Sequence, residues 1–129
     1  MDSPITVSGE ISAGPIRVFE AFLDPAGHAA MTGAASTIEA DGSFTAWNGY
    51  IRGRTIEAES GKKIVQSWRT ADFPDAAPDS VLEIEFVATS NGTRVTFRHS
   101  DIPDGQGPNY EQGWVDHYLT PMQAWFTGR

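Results

Sequence analysis

Few side chains in this sequence can do chemistry. Three histidines, His28, His99 and His117, are the groups that titrate nearest neutrality. No two stand four residues apart and none sits in a carboxylate–histidine helical motif, so no metal site is expected. Cysteine is absent, which removes disulfides and thiolate chemistry. There is no Gly-x-Ser-x-Gly, and the glycine that a phosphate-cradling loop needs before Gly61-Lys62 is missing. His99 shares a strand face with Val95 and Phe97, and His117 shares a helix face with Trp114 and Pro121. If that helix packs across that strand, both imidazoles approach one interior space. There they could orient a ligand or act as acid–base groups, with Tyr118 beside them. The plainer alternative is two separately hydrogen-bonded structural histidines. His28 is placed on the surface of a short helix.

Aromatic residues are the second resource. Trp47, Trp68, Trp114 and Trp125 each combine a large apolar face with one N–H, which suits a pocket wall and equally suits a core. The expected ligand-binding residues are Trp47, Trp68, Phe73, His99, Trp114, His117 and Tyr118; no catalytic residue, metal or cofactor is assigned. Arg52, Arg54 and Arg69 could hold an anion in a bidentate contact, or face solvent and pair with Glu57 or Glu59.

The elements that must position these side chains follow from periodicity. Ile5, Val7, Gly9 and Ile11 alternate with polar residues as a half-buried strand does. Gly14-Pro15 opens a helix, and Asp24-Pro25 stops it and caps a second short one, ending near Met31. From Ser36 the period is two. Asp41-Gly42, Asn48-Gly49 and Asn91-Gly92 are hairpin signals, with a looser turn at Ser60-Gly61-Lys62. They delimit strands near 35–40, 43–47, 50–58, 63–71, 80–89 and 93–100, roughly seven with the first, paired antiparallel. Glu83 and Glu85 are placed to pair with Arg94 and Arg98. Loops 72–79 and 101–108 fall at one end of the sheet, which gathers Asp72, Asp75, Asp79, Asp101 and Asp104.

From Asn109 to Phe126 apolar residues recur three and four apart: Tyr110, Trp114, Val115, Tyr118, Leu119, Met122, Trp125 and Phe126. They exceed one narrow stripe, so a helix buried on most of its girth is expected. Pro121 lies inside it and cannot donate, which predicts a kink near 117–121. Gly113 removes a side chain one turn before His117, opening either a gap or a close backbone contact. A helix gripped by a curved sheet would enclose a cavity of about 300–1,000 Å³.

Composition limits the partners. At 129 residues the chain is read as one domain, 1–129, and 40% hydrophobic residues supply a core. With 9 basic and 17 acidic residues, the net charge of −8 argues against nucleic acid and against an anionic membrane surface. No apolar run spans a bilayer and Met1-Asp2-Ser3-Pro4 is not a signal peptide, so a cytoplasmic location is expected.

Several segments, taken in order, resemble one family. They are Ala13-Gly14-Pro15 before Val18-Phe19-Glu20-Ala21-Phe22, Asp24-Pro25, Gly42-Ser43-Phe44, Gly49-Tyr50-Ile51-Arg52-Gly53 and Ile64-Val65-Gln66-Ser67-Trp68-Arg69. Gly92-Thr93-Arg94-Val95, His99-Ser100-Asp101-Ile102-Pro103 and Gly113-Trp114 complete the set. Together they resemble the activator of heat-shock-protein ATPase homologues, within the START-like (SRPBCC) superfamily, over nearly the whole chain. The resemblance implies an α+β helix-grip fold. Its curved antiparallel sheet of about seven strands surrounds a long C-terminal helix, with two short helices after the first strand. It implies a binding module first, for a small apolar or aromatic ligand held between sheet and helix. A chaperone-linked interaction module comes second; eukaryotic co-chaperones of that name carry a further N-terminal docking domain for which these residues leave no room. A cyclase- or hydrolase-like enzyme comes third. A homodimer is compatible with each.

Overall fold

Seven strands form where the alternation falls, in a computed structural model that describes residues 1–127. They are β1 (Ile5–Ile11), β2 (Thr37–Ile38), β3 (Ser43–Ala46), β4 (Ile51–Glu59), β5 (Lys63–Thr70), β6 (Ser80–Thr89) and β7 (Gly92–Ser100). One antiparallel, curved sheet results, ordered β1-β7-β6-β5-β4-β3-β2. Between β1 and β2 lie α1 (Pro15–Leu23) and α2 (Pro25–Thr32), each with proline in its first turn. Asp24 caps α2 by accepting from the Gly27 N–H at 2.8 Å.

The inward faces of β5, β6 and β7 carry Ile64, Trp68, Leu82, Ile84, Phe86, Val95, Phe97 and His99, all buried. The C-terminal helix lies across them, formed of α-helical Gly107–Trp114, a π-helical turn Val115–Leu119 and α-helical Thr120–Phe126. Asp2 fixes its start from the far end of the chain: its carboxylate accepts from Gly105 and Gly107 N–H at 2.9 and 2.7 Å. The proline irregularity takes the form of that π turn, in which the Thr120 N–H reaches the Val115 carbonyl. Pro121 has no N–H for the His117 carbonyl one turn earlier, so the helical register is already broken there. The helix is not buried around most of its girth. Tyr110, Trp114, Tyr118, Leu119, Met122 and Phe126 form one buried stripe, while Glu111, Gln112, Asp116, His117 and Thr120 are exposed.

The turn chemistry departs from expectation twice. Thr89 pairs with Gly92, so Ser90-Asn91 make the β6–β7 connection. Gly92 has φ +154°, and a Cβ there would fall 2.1 Å from the Ile11 carbonyl oxygen. At the β3–β4 connection the left-handed stretch begins one residue early, at Trp47. Outward charges pair in part as expected. Arg98 takes both Glu83 and Glu85; Arg54 pairs with Asp41 and Arg69 with Asp79, while Glu57 is held by Lys63.

Gly53 marks the tightest point of the sheet. It pairs with Trp68, and a Cβ would meet the Ser67 carbonyl oxygen at 1.9 Å. Backbone cannot yield as a side chain tip can. Gly53→Ala is therefore expected to cost at least the ~1–3 kcal/mol of an overpacked core, read as a lowered urea midpoint. An unchanged midpoint would mean that β4 and β5 are less closely apposed.

Candidate functional site

The groove on one flank of the C-terminal helix begins with a strained turn. After β3, Trp47, Asn48 and Gly49 all have positive φ, at +53°, +58° and +90°. A left-handed tryptophan and asparagine each cost on the order of 1–3 kcal/mol and persist only where other contacts impose them. Asn48 supplies those contacts: its side-chain oxygen accepts from the Ala35 N–H at 3.0 Å, and its own N–H donates to the Ala35 carbonyl at 3.1 Å. The turn brings the Trp47 ring against His117 on the π turn, centroids 5.1 Å apart and 64° between planes. The Trp47 Nε1–H is buried on the side of the Tyr118 hydroxyl, and among the described residues it makes no well-formed hydrogen bond.

Between the turn and the helix lies a half-open groove of about 460 Å³. Trp47, Tyr50, Ile51 and Trp68 form the sheet side; Asn109, Tyr110, Gln112, Gly113, Trp114, Asp116, His117 and Tyr118 form the helix side. The expected hollow at the centre of the grip is filled instead. There Trp114 stacks on Phe97, with centroids 4.7 Å apart and planes at 18°, and Tyr118 packs beside them. Open space lies at the flank, beside Gly113, which has no side chain. The nearest atom to a Cβ built on Gly113 is the His117 Cδ2, at 3.9 Å. Close backbone packing therefore does not account for this glycine.

Hydrogen bonds behind the wall fix its rings. The Tyr118 hydroxyl meets His28 Nε2 at 2.7 Å, and His28 Nδ1 lies 2.9 Å from the Phe22 carbonyl. A carbonyl only accepts, so Nδ1 carries the proton and Tyr118 donates to Nε2. His28 is thus buried in the α2–helix contact, not on the surface, because its two ring nitrogens link α1 to the π turn. Burial pushes the His28 pKa down and that of Tyr118 up, so both remain neutral. The Tyr110 hydroxyl donates to Gln106 Oε1 at 2.6 Å and takes a proton from Thr70 Oγ1 at 2.8 Å; burial pushes its pKa up to about 12. Gln106 also donates to the Asp72 carbonyl, while Tyr50 donates to the Asp72 carboxylate, so the two long loops meet at one end of the groove.

His99 does not reach the groove. It is fully buried, and Ser80, whose hydroxyl proton goes to the Trp68 carbonyl at 2.6 Å, accepts from His99 Nε2 at 2.8 Å. Nδ1 then accepts from the Trp114 Nε1–H at 3.1 Å. Both nitrogens are satisfied in the neutral state, and burial lowers the pKa from 6.5 to about 3. His99 and His117 therefore do not share one space, and His99, His117 and Tyr118 form no convergent acid–base set. Phe73 is buried behind the wall, against Trp68 and Tyr110 and beneath the Arg69 guanidinium.

Of the residues expected from sequence, Trp47, Trp68, Trp114, His117 and Tyr118 line the groove. Tyr50, Ile51 and Tyr110 line it too without having been assigned; Gly113, read from sequence as a gap or a close contact, borders it; and on the helix Asn109, Gln112 and Asp116 were missed as lining residues. Their spacing of three and four places them on one helix stripe beside the aromatic one, a signal the sequence did carry. Among the described residues no three His, Asp or Glu side chains converge on a metal position.

A protein of Schizosaccharomyces pombe, C1711.08, is 28% identical to this chain over 114 residues, 85% of the chain, and the match spans 33% of that longer protein. The crystal structure of an HSP90 activator from Plasmodium falciparum superposes with a TM-score of 0.86 at 22% identity, over 96% of each chain. The solution structure of the Aha1 dimer from Colwellia psychrerythraea gives 0.78 at 16% identity, over 99% of each chain. Both likenesses are likenesses of fold. The family model described as Activator of Hsp90 ATPase homolog 1-like protein matches residues 12–127, every element but β1, and this chain belongs to that family.

Proposed function

We propose that this domain binds a small, largely apolar molecule in the groove between Trp47 and the C-terminal helix. The observation that carries the reading is Gly113. A glycine inside a helix costs roughly 1 kcal/mol relative to alanine, and here it borders open space that any side chain would fill. Three further features converge on that space: the left-handed Trp47, the π turn and the aromatic walls. Local strain and π turns are both frequent at functional sites. The volume, about 460 Å³, lies within the usual range for small-molecule sites, about 300–1,000 Å³.

The test is to fill the groove without touching the core. Gly113→Leu places a side chain where nothing resists it, so its thermal midpoint is expected to equal or exceed that of the parent. Protein taken directly from its source cells should carry a small molecule visible by native mass spectrometry, and Gly113→Leu prepared in the same way should lack it. Retention of the same molecule by both would exclude the groove.

Family membership supports a second reading, a module acting on a chaperone ATPase and working singly or as a homodimer. A change of ATPase rate and a mass shift on mixing with an Hsp90-type chaperone would support it. No shift at micromolar concentration would reject it.

A further inference from the structure

We propose that the groove selects an organic cation, an ammonium or quaternary nitrogen carried on a ring-sized apolar body. The proposal rests on the groove being a ligand site and names the class of ligand it takes. Trp47, Tyr50, Trp68, Tyr110, Trp114 and Tyr118 all contribute to the wall. Aromatic faces are the negative end of the ring quadrupole, and a cation within about 6 Å of a centroid is attracted to them, most strongly when desolvated.

The rest of the lining has the charge that such a ligand needs. Among the described residues the wall contains no lysine or arginine, and its formal charge comes from Asp116. Gln112 Nε2 donates to Asp116 Oδ1 at 2.9 Å, which holds that carboxylate on the rim. At one end of the groove the Tyr50 hydroxyl holds a second carboxylate, that of Asp72. An anionic ligand would meet Asp116 in the wall and have Asp72 nearby, behind Tyr50, on a chain of net charge −8.

Neutral polar ligands find little to bond in the deep wall. The hydroxyls of Tyr110 and Tyr118 and the indole N–H of Trp114 are already engaged by Gln106 and Thr70, by His28 and by His99. The Trp47 Nε1–H is shielded from solvent, on the side of the Tyr118 hydroxyl. What the deep wall presents is ring surface. Ring surface accepts a neutral apolar body and a cation alike, and the two carboxylates decide between them.

Three probes of one shape separate these possibilities: phenyltrimethylammonium, its neutral carbon isostere tert-butylbenzene, and the anion 4-tert-butylbenzoate. Each is titrated into the protein and followed by tryptophan fluorescence. The cation is expected to bind at least about tenfold more tightly than the isostere, with the anion weakest. Asp116→Asn should weaken the cation about threefold and leave the isostere unchanged. Gly113→Leu should weaken both. If the isostere binds as well as the cation, the charge preference is wrong and the groove reading survives. If no probe binds, or if Gly113→Leu binds them all as the parent does, both fall.

Discussion

Acidification from neutral pH to about pH 4 is expected to destabilise this protein by about 3 kcal/mol, with His99 the principal cause. The imidazole has a pKa of 6.5 in the unfolded chain and about 3 in the folded one, because burial penalises its charged form. Below the unfolded value the unfolded chain binds the extra proton, so the contribution is complete above pH 6.5 and shrinks as pH falls towards 3. The full shift corresponds to about 5 kcal/mol. His28, also depressed by burial, adds in the same direction. Asp2 and Asp41 are held below their usual 3.8 by backbone N–H donors, so most of their loss falls below pH 4. Urea midpoints between pH 7 and pH 4 therefore report mainly on the histidines. His99→Gln, which retains one donor and one acceptor, is expected to be less stable at neutral pH and to lose less on acidification. An equally steep acid loss in the variant would remove His99 from this role.

Trp114→Ala is expected to cost about 3–5 kcal/mol, the usual range for deleting a buried large aromatic side chain. Trp114 is 2% exposed and ties the C-terminal helix to the sheet: it stacks on Phe97, touches Trp68 and Tyr118, and donates to His99. Trp114→Phe separates packing from hydrogen bonding. It keeps a ring on Phe97 but leaves the His99 acceptor unsatisfied, at about 1–3 kcal/mol. A difference of less than ~0.5 kcal/mol between Trp114→Phe and the parent would show that the indole–imidazole bond contributes nothing net.

Much of the fold was legible because local rules and tertiary structure agree. The alternation of Leu82, Ile84 and Phe86 and of Val95, Phe97 and His99 set both strands and their inward faces, which are buried as read. Proline at the first turn and Asp24 at the cap marked both short helices. Errors arose where a residue answers to something distant in sequence. His28 on α2 reads as a surface residue until Tyr118, ninety positions later, is brought to it. Trp47 in the left-handed region has no sequence signature, since its strain is carried by Asn48 bonding to Ala35. Pro121 announced an irregularity, but a kink and a π turn begin from the same missing N–H. The site was half legible for a related reason: pattern identifies which residues face inward, not where the packing stops. His99 and Trp114 share that inward face, yet only the second borders the groove.

Whether small molecules dock against Trp47 and the π turn is tested most directly by the tryptophan indole N–H signals in a proton–nitrogen correlation spectrum, recorded while an aryl probe is added. Trp47, Trp68 and Trp114 line the groove and Trp125 does not. The Trp47, Trp68 and Trp114 signals are expected to move together and to saturate, with no shift at Trp125. Movement confined to Trp125, or four signals that stay still at saturating probe, would contradict the assignment of this groove.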